Sequence, residues 1–360
     1  MLLKKLAPFI VALCTGSAFA GSPPSVNDVA RWLAGLDNEF ENAGSGERQR
    51  LDAAWAALAA SRTTPMREFA ARHLAREQVD CSTLFYPFSG PDALNAITLF
   101  PACGSYVLFG LEPVGDLPRP QRMSDSERAA VLADMFKAEQ YIIRRNFFVT
   151  QYMRDDLNTP HLKGVVPIIS ATLVRMGYEV RRVQMMQVDG SPQPADAPKD
   201  APKDAPKRPR AVEIEFGLPG GPTQRLFYAN FDASDDGLKR NPAFLKAVAD
   251  MHGAVTLLKA ASYLLHDDAF STMRALIEAR SRLIVQDDSG LPFSHIKAAG
   301  FDVELYGNYV GTIPVFRYRF QRDLAGAYAQ ASDREPLAFA WSYATQRSQE
   351  ALQIARRPGA

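Results

Sequence analysis

Residues 85–92 read FYPFSGPD and residues 98–115 read TLFPACGSYVLFGLEPVG. Apolar runs typical of strands alternate here with the Gly and Pro signals of turns. Because segments with helical spacing lie on both sides, we interpret the region as strands and tight turns within a largely helical protein. Polar groups on turns that a rigid scaffold holds are frequent in binding and catalytic sites. The sequence therefore predicts a candidate site in this region.

Two cysteines, Cys81 and Cys103, flank this region. In an oxidising compartment a bridge between them would close a loop worth about 3 kcal/mol on the loop-entropy argument. Two buried free thiols are the alternative, and we favour the bridge because it would tie the turns together. Two cysteines are too few for a four-cysteine zinc site. We predict no cofactor and no metal.

The first twenty residues have the pattern of a secretory signal peptide. Lys4 and Lys5 precede an apolar run at 6–14, and Ser-Ala-Phe-Ala at 17–20 fits a cleavage site. The run is shorter than the roughly 20 residues of a spanning helix. A lipid anchor on Cys14 is the alternative, disfavoured by the bulky Leu13. We predict an exported protein, periplasmic or extracellular, with no transmembrane segment after cleavage.

The charge balance of the chain is close to neutral. Its formal net charge is +1, and loss of Lys4 and Lys5 would make it −1. Because affinity for nucleic acid depends on clustered Lys and Arg, we expect no nucleic acid partner. The partner classes left open are a small molecule, a glycan or an envelope protein.

The predicted fold class is α+β, because strands cluster rather than alternate with helices. We expect a helical N-terminal block at 21–80, a main domain at 81–340 and a C-terminal tail at 341–360. The main domain should hold antiparallel strands and hairpins packed on long helices. Its DAPK repeat predicts a mobile loop at 190–210 between two strands of a meander. We also expect a long helix at 241–265, a hairpin of 301–306 with 315–320, and a helical tail beyond 338.

The first candidate cluster comprises Tyr86, Ser89, Asp92 and Glu112 on the turns of the central region. Two carboxylates across a pocket can act as general acid and base, or as nucleophile and acid on a glycoside. The alternative is that Ser89 and Asp92 close their own turns by bonding backbone N–H groups. The G-x-S-x-G pattern of a nucleophile elbow is absent from this stretch.

The second cluster comprises Asp287, Asp288, Ser289 and His295 around the sequence QDDSG, with His266, Asp267 and Asp268 about twenty residues earlier. Paired aspartates and a histidine can bind a divalent cation or fix an imidazole tautomer. A plain turn is the preferred interpretation over metal binding, since the sequence has no H-E-x-x-H motif. Tyr306 and Arg317, on the predicted hairpin, are candidate ligand-binding residues.

The stretches FYPFSGPD, GLEPVG and QDDSG together resemble those of exported bacterial proteins of uncharacterised function. This resemblance implies that the two turn clusters belong together, and it brings no catalytic residues with it. We carry two hypotheses. One is a protein that binds a ligand or partner in a groove between the FYPFSGPD and QDDSG turns. The other is a glycosidase-like hydrolase of envelope or extracellular material that uses paired carboxylates, with His295 as a helper.

Overall fold

The computed structural model describes residues 24–36, 40, 45–146, 157–187, 210–343 and 350–359. The predicted signal peptide, and all but the last residue of the predicted repeat loop, lie outside these ranges.

The described residues contain nine strands and twelve α-helices. The strands are β1 Thr83–Tyr86, β2 Ser105–Gly110, β3 Glu179–Gln187, β4 Arg210–Gly217, β5 Gln224–Asn230, β6 Ala254–Leu258, β7 Ser281–Gln286, β8 Asp302–Gly307 and β9 Ala351–Arg356. The helices are α1 Val26–Leu33, α2 Ser45–Leu58, α3 Thr64–His73, α4 Ala75–Val79, α5 Ala93–Leu99, α6 Asp125–Gln140, α7 Val166–Arg175, α8 Asp235–Arg240, α9 Pro242–Ala249, α10 Ser271–Arg280, α11 Phe293–Ala298 and α12 Arg322–Gln330.

All nine strands form one mixed sheet, in the order β3-β4-β5-β2-β1-β6-β7-β9-β8. The α+β class is thus confirmed. The prediction of antiparallel hairpins throughout is wrong, because β5, β2, β1, β6 and β7 are parallel neighbours. Parallel strands need a crossover connection, which α5 provides between β1 and β2 and α10 provides between β6 and β7.

The predicted meander is confirmed at one edge of the sheet. Ile214 of β4 pairs antiparallel with Val183 of β3 and with Leu226 of β5. The sequence S-x-x-E at 124–127 predicts a helix cap, and this is confirmed, since Ser124 and Glu127 form a capping box at the start of α6. The apolar spacing predicts a helix from about 159 to 176 with a kink at Pro167, but α7 begins only at Val166, so Pro167 occupies its first turn.

The long helix predicted at 241–265 is wrong. Helix α9 begins at Pro242 as expected but ends at Ala249, and Gly253, at φ +66°, precedes strand β6. The residues of β6, AVTLL, are all buried. A short apolar run of this kind suits either a buried helix or a central parallel strand, and its pairing with β1 and β7 selects the strand.

The predicted hairpin of 301–306 with 315–320 is also wrong. Pro314–Arg319 forms 3-10 helical turns, and β8 pairs antiparallel with β9. Strand β9 lies where a helical tail was predicted, inserted between β7 and β8. Pro314 occupies the first turn of this segment, a position where a helix tolerates a residue without a backbone N–H.

The sheet is covered on both faces. In β1, Leu84 and Tyr86 belong to one buried cluster and Phe85 to the other, as expected for side chains that alternate across a strand. The first cluster includes Trp32 of α1 and residues of α5 and α7, and the second includes residues of α9, α10 and α11. The helical N-terminal block therefore packs on the same core as the sheet.

The sulfur atoms of Cys81 and Cys103 are bonded, and their Cα atoms are 4.5 Å apart. The bridge joins the chain just before β1 to the chain just before β2, and Gly104 N donates to Cys81 O beside it. None of the described helices is long and apolar enough to cross a membrane.

Candidate functional site

The candidate site lies where the order of the parallel strands reverses direction. From β1 the chain adds β2 and β5 on one side, and later adds β6 and β7 on the other. In open sheets of parallel strands, ligands bind outside the carboxyl ends of the strands at such a switch point. The candidate residues are therefore those in the turns that follow β1, β6 and β7, and they include Asp92, Lys259, Asp287 and Asp288.

The turn after β1 holds Asp92 in place. Asp92 caps α5, accepting from the backbone N–H of Asn95 through Oδ1 at 3.1 Å, and its Oδ2 accepts from the Tyr86 hydroxyl at 2.8 Å. The side-chain amide of Asn95 donates to both carboxylate oxygens. Asp92 therefore accepts from a backbone N–H of its own turn, which was the alternative to a catalytic role. Both of its oxygens are engaged within the protein.

Lys259 follows β6 and is 2% exposed. Its Nζ donates to the backbone oxygen of Asn146 at 2.5 Å, lies 3.9 Å from Asp92 Oδ2 and lies 5.6 Å from the centre of the Trp341 ring. Burial lowers the pKa of Lys259, and the negative charges of Asp92 and Asp287 oppose that shift. Lys259 is thus placed between the turns that follow β1 and β7.

Asp287 follows β7 and is fully buried. Its Oδ1 accepts from the backbone N–H of Ser289 at 2.8 Å and from its hydroxyl at 2.5 Å, while Oδ2 accepts from Ala260 N at 2.8 Å. Ala260 has φ +57°, a conformation rare for a residue with a Cβ. Its hydrogen bond to Asp287 therefore helps to hold the β6 turn in a strained shape. Burial raises the pKa of Asp287.

Asp288 is the carboxyl group of this cluster that reaches a cavity. Its Oδ2 accepts from the Tyr263 hydroxyl at 2.5 Å. Burial, followed by the charge of Asp287, raises the pKa of Asp288 to about 7. The cavity has a volume of about 320 Å³, and its lining includes Tyr263, Asp288, Tyr309 and Tyr343 together with the chain from Val310 to Pro314.

Two further ionisable residues, Glu350 and Arg62, interact electrostatically with Lys259. Together with Asp92, Asp287 and Asp288 they form what we call the cluster around Lys259. Glu350, just before β9, accepts from Ser342 N at 2.6 Å, and burial raises its pKa to about 7. Arg62 donates to the backbone oxygens of Ile142 and Ile143, and burial lowers its pKa to about 10 against the opposing charges of Asp92 and Glu350. Four carboxyl groups, those of Asp92, Asp287, Asp288 and Glu350, thus face two basic groups.

The other predicted residues of the central region lie on the neighbouring turns. Ser89 is buried, and its hydroxyl lies 3.0 Å from the backbone oxygen of Gly90. Glu112, after β2, is 2% exposed and accepts from the Tyr228 hydroxyl at 3.3 Å. None of the residues that line the Asp288 cavity comes from FYPFSGPD. That stretch instead contributes the buried carboxylate of Asp92 and the Tyr86 hydroxyl that donates to it.

Three predicted residues lie elsewhere. The side chain of His295 is 45% exposed and its Nδ1 is 3.1 Å from Glu278 Oε1. The hydroxyl of Tyr306 donates to Glu304 and contacts His73 Nδ1, in a separate polar group. Arg317 is exposed on the 3-10 turns. The structure does not bring these residues to the Asp288 cavity.

His266 contacts the last residue of the QDDSG turn, with its Nε2 atom 2.8 Å from the backbone oxygen of Gly290. Burial lowers the pKa of His266 to about 4, so the imidazole is neutral over the physiological range. Asp267 accepts from Ala269 N, as expected for a capping residue. Among the described residues, no group of three or more His, Cys, Asp or Glu side chains is arranged to hold a metal ion.

Lys259, Tyr263 and Glu350 were not singled out in the sequence. The signal for Lys259 is its position directly after the apolar run AVTLL, once that run is recognised as a strand. Glu350 carries no local signal, because it reaches the site only through the placement of β9.

No protein-family model matches the chain, and no curated protein sequence is significantly similar to it.

Proposed function

We propose that the chain is an exported protein that binds an uncharged, hydroxyl-rich small molecule such as a glycan fragment in the Asp288 cavity. One observation carries the proposal. A carboxyl group with a raised pKa opens into a tyrosine-lined cavity next to the switch point of the sheet, where Tyr263 follows β6 and Asp288 follows β7. A volume of about 320 Å³ lies at the lower end of the roughly 300–1,000 Å³ range of small-molecule sites.

The walls of the cavity support the ligand class. Tyr263 and Tyr343 lie nearly parallel, at 6° and with ring centres 6.3 Å apart, and Tyr309 also lines the cavity. Aromatic rings give apolar surfaces with polar edges, which suit the alternating C–H and O–H groups of a sugar. The carboxyl group of Asp288 can exchange hydrogen bonds with hydroxyl groups in either protonation state.

The charge of the site argues against an anionic ligand. The four carboxyl groups outnumber the basic groups Lys259 and Arg62, and both basic groups are engaged with protein atoms. Above pH 7, where Asp288 and Glu350 are largely ionised, an anion entering beside Asp288 would therefore meet repulsion at short range.

Binding is tested by calorimetry on the chain from Gly21 onward. The ligands are neutral mono- and disaccharides, with the corresponding sugar phosphates as anionic counterparts. We expect a neutral sugar to bind, its phosphate to bind more weakly, and Asp288→Asn to weaken sugar binding by about tenfold, since it alters a hydrogen bond to the ligand. The exposed Asp268→Asn is the matched control and should bind like wild type. Equal binding by Asp288→Asn and wild type would refute this site.

Glycoside hydrolysis is the second candidate function, and the pKa of Asp288 favours it, since a general acid or base works best with a pKa near the working pH. However, both oxygens of Asp92 and of Asp287 are engaged within the protein. Chromogenic glycosides and esters distinguish the two functions. Turnover by wild type that is lost in Asp288→Asn would establish the enzyme, and binding without turnover supports the binding protein.

Export is tested separately, by fractionating cells that make the full chain and sequencing the mature N-terminus. We expect Gly21 as the first residue, outside the cytoplasm. A cytoplasmic protein that retains residues 1–20 would refute export.

A further inference from the structure

A second cavity, of about 440 Å³, lies among the N-terminal helices, α5 and α7. Its lining includes the apolar residues Trp55, Leu94 and Met176. Polar residues also line it, among them Asp52, Thr98 and Arg175. No residue that lines this cavity belongs to the cluster around Lys259 or to the Asp288 cavity, so the two sites can be tested independently.

The guanidinium group of Arg175 is the most informative feature of this cavity. Its side chain is 6% exposed, and Nη1 donates to Asp52 Oδ1 at 2.5 Å. Its Nε and Nη2 are buried and have no hydrogen-bond partner among the described residues. These two atoms form one edge of the guanidinium plane, whose parallel N–H groups match the two oxygens of a carboxylate. An unpaired buried donor is costly, and here two of them share one edge.

The neighbouring groups favour an anion at that edge. The Thr98 hydroxyl is buried and, within the described chain, unpartnered, and Arg67 also lines the cavity. The carboxylate of Asp52 lines the cavity, is exposed and is already paired with Nη1 of Arg175. The buried carboxyl group of Glu139 accepts from the Trp55 indole at 3.1 Å. Burial raises the pKa of Glu139 to about 7, so it is largely neutral at mildly acidic pH and repels an anion little there.

The backbone beside the cavity is unusual. Helix α2 passes into a π-helical turn at Ala59–Thr63, and both Ala59 and Thr63 line the cavity. Such π-helical turns are rare in proteins, and those that occur often lie at functional sites.

We propose that this cavity binds an organic carboxylate with an apolar body. The carboxylate lies on the Nε and Nη2 edge of Arg175, and the body packs against Trp55, Leu94 and Met176. A bare inorganic anion fits less well, because it leaves most of the 440 Å³ and the whole apolar side unfilled.

The test measures the melting temperature of the mature chain with octanoate, benzoate, octanol or inorganic phosphate. We expect a concentration-dependent rise with octanoate or benzoate and a much smaller one with phosphate or octanol. Arg175→Lys keeps the charge but loses the paired N–H edge, and it should weaken carboxylate binding by about tenfold. Arg182→Lys, at an exposed arginine on β3, is the matched control and should match wild type.

A second variant keeps the test decisive if Arg175→Lys folds poorly. Asp52→Asn retains the arginine edge and removes a nearby negative charge, so it should bind octanoate at least as tightly as wild type. The proposal is overturned if no carboxylate raises the melting temperature or if Arg175→Lys binds like wild type. Loss of octanoate binding in Asp52→Asn, or phosphate and octanol acting as strongly as octanoate, also overturns it.

Discussion

The amino group of Lys259 lies 3.9 Å from Oδ2 of Asp92, and each residue is 2% exposed. The two residues follow adjacent parallel strands, β6 and β1, so the topology of the sheet brings them together. A buried ammonium group is stable only if opposite charge and hydrogen bonds replace its hydration. Asp92 and Asn146 provide these, and Asp287 adds a second favourable charge.

Replacing Lys259 with methionine should destabilise the protein by about 3–5 kcal/mol, because it leaves Asp92 and Asp287 buried without the compensating charge. Urea unfolding at pH 7 measures the change. Lys239→Met, at a lysine whose side chain is 75% exposed, is the control and should stay within about 0.5 kcal/mol of wild type. A Lys259→Met variant as stable as the control would show that Lys259 is not a required counter-charge.

The raised pKa of Asp288 predicts a pH dependence. The folded pKa of about 7 exceeds the ordinary value of 3.8, so the folded state holds this proton more tightly than the unfolded state. Its contribution is fully present below pH 3.8 and is lost as the pH rises to about 7.

Urea midpoints at pH 4.5, 5.5, 6.5 and 7.5 measure this contribution as the difference between wild type and Asp288→Asn. The wild type should lose stability relative to the variant as the pH rises through this range. Asp268→Asn should keep the wild-type slope. Parallel curves for wild type and Asp288→Asn would mean that Asp288 ionises normally in the folded protein.

Gly110 permits the close approach of the turns that follow β1 and β2. A Cβ at this position would lie 2.3 Å from Glu112 Oε2 and 3.0 Å from Gly90 Cα. Gly110→Ala should therefore destabilise the protein by about 1–3 kcal/mol, the usual cost of overpacking. Gly326→Ala, in α12 with no atom within 4 Å of the added Cβ, should be neutral or stabilising by up to about 1 kcal/mol. If denaturation shows equal effects for both, the packing at Gly110 is looser than described.

The bond between Cys81 and Cys103 fixes the starts of β1 and β2. Replacing both cysteines with serine should cost about 3 kcal/mol, as expected for a loop of 22 residues. Adding a reductant should lower the thermal midpoint of wild type toward that of the variant and leave the variant unchanged. A reductant that leaves wild-type stability unchanged would contradict a structural bridge.

The sequence predicted features whose signals are local. Ser124 and Glu127 form the cap that S-x-x-E predicts, β3 and β4 of the meander flank the predicted repeat loop, and the turns that hold Asp92 and Asp287 follow strands. Each of these features depends on residue types within a few positions of each other, which is the range over which patterns are informative.

Features set by distant pairing could not be predicted in the same way. Strand β9 is a strand because β7 and β8 supply its hydrogen bonds, and nothing within ALQIAR indicates those partners. The helix predicted at 241–265 includes the run AVTLL, because a central parallel strand lacks the alternation of apolar and polar residues that distinguishes a half-buried strand from a helix. Lys259 was therefore not predicted as a site residue, because its only sequence signal is that it follows a strand.

The most direct test of the Asp288 cavity is an NMR titration of the mature chain with ring-labelled tyrosine, using the tightest-binding neutral sugar. We predict that the resonances of Tyr263, Tyr309 and Tyr343 shift together in a saturable manner, while that of exposed Tyr318 does not. Shifts confined to Tyr318 and other tyrosines outside the cavity, or no saturable shift with any sugar, would contradict a ligand site at the carboxyl ends of these strands.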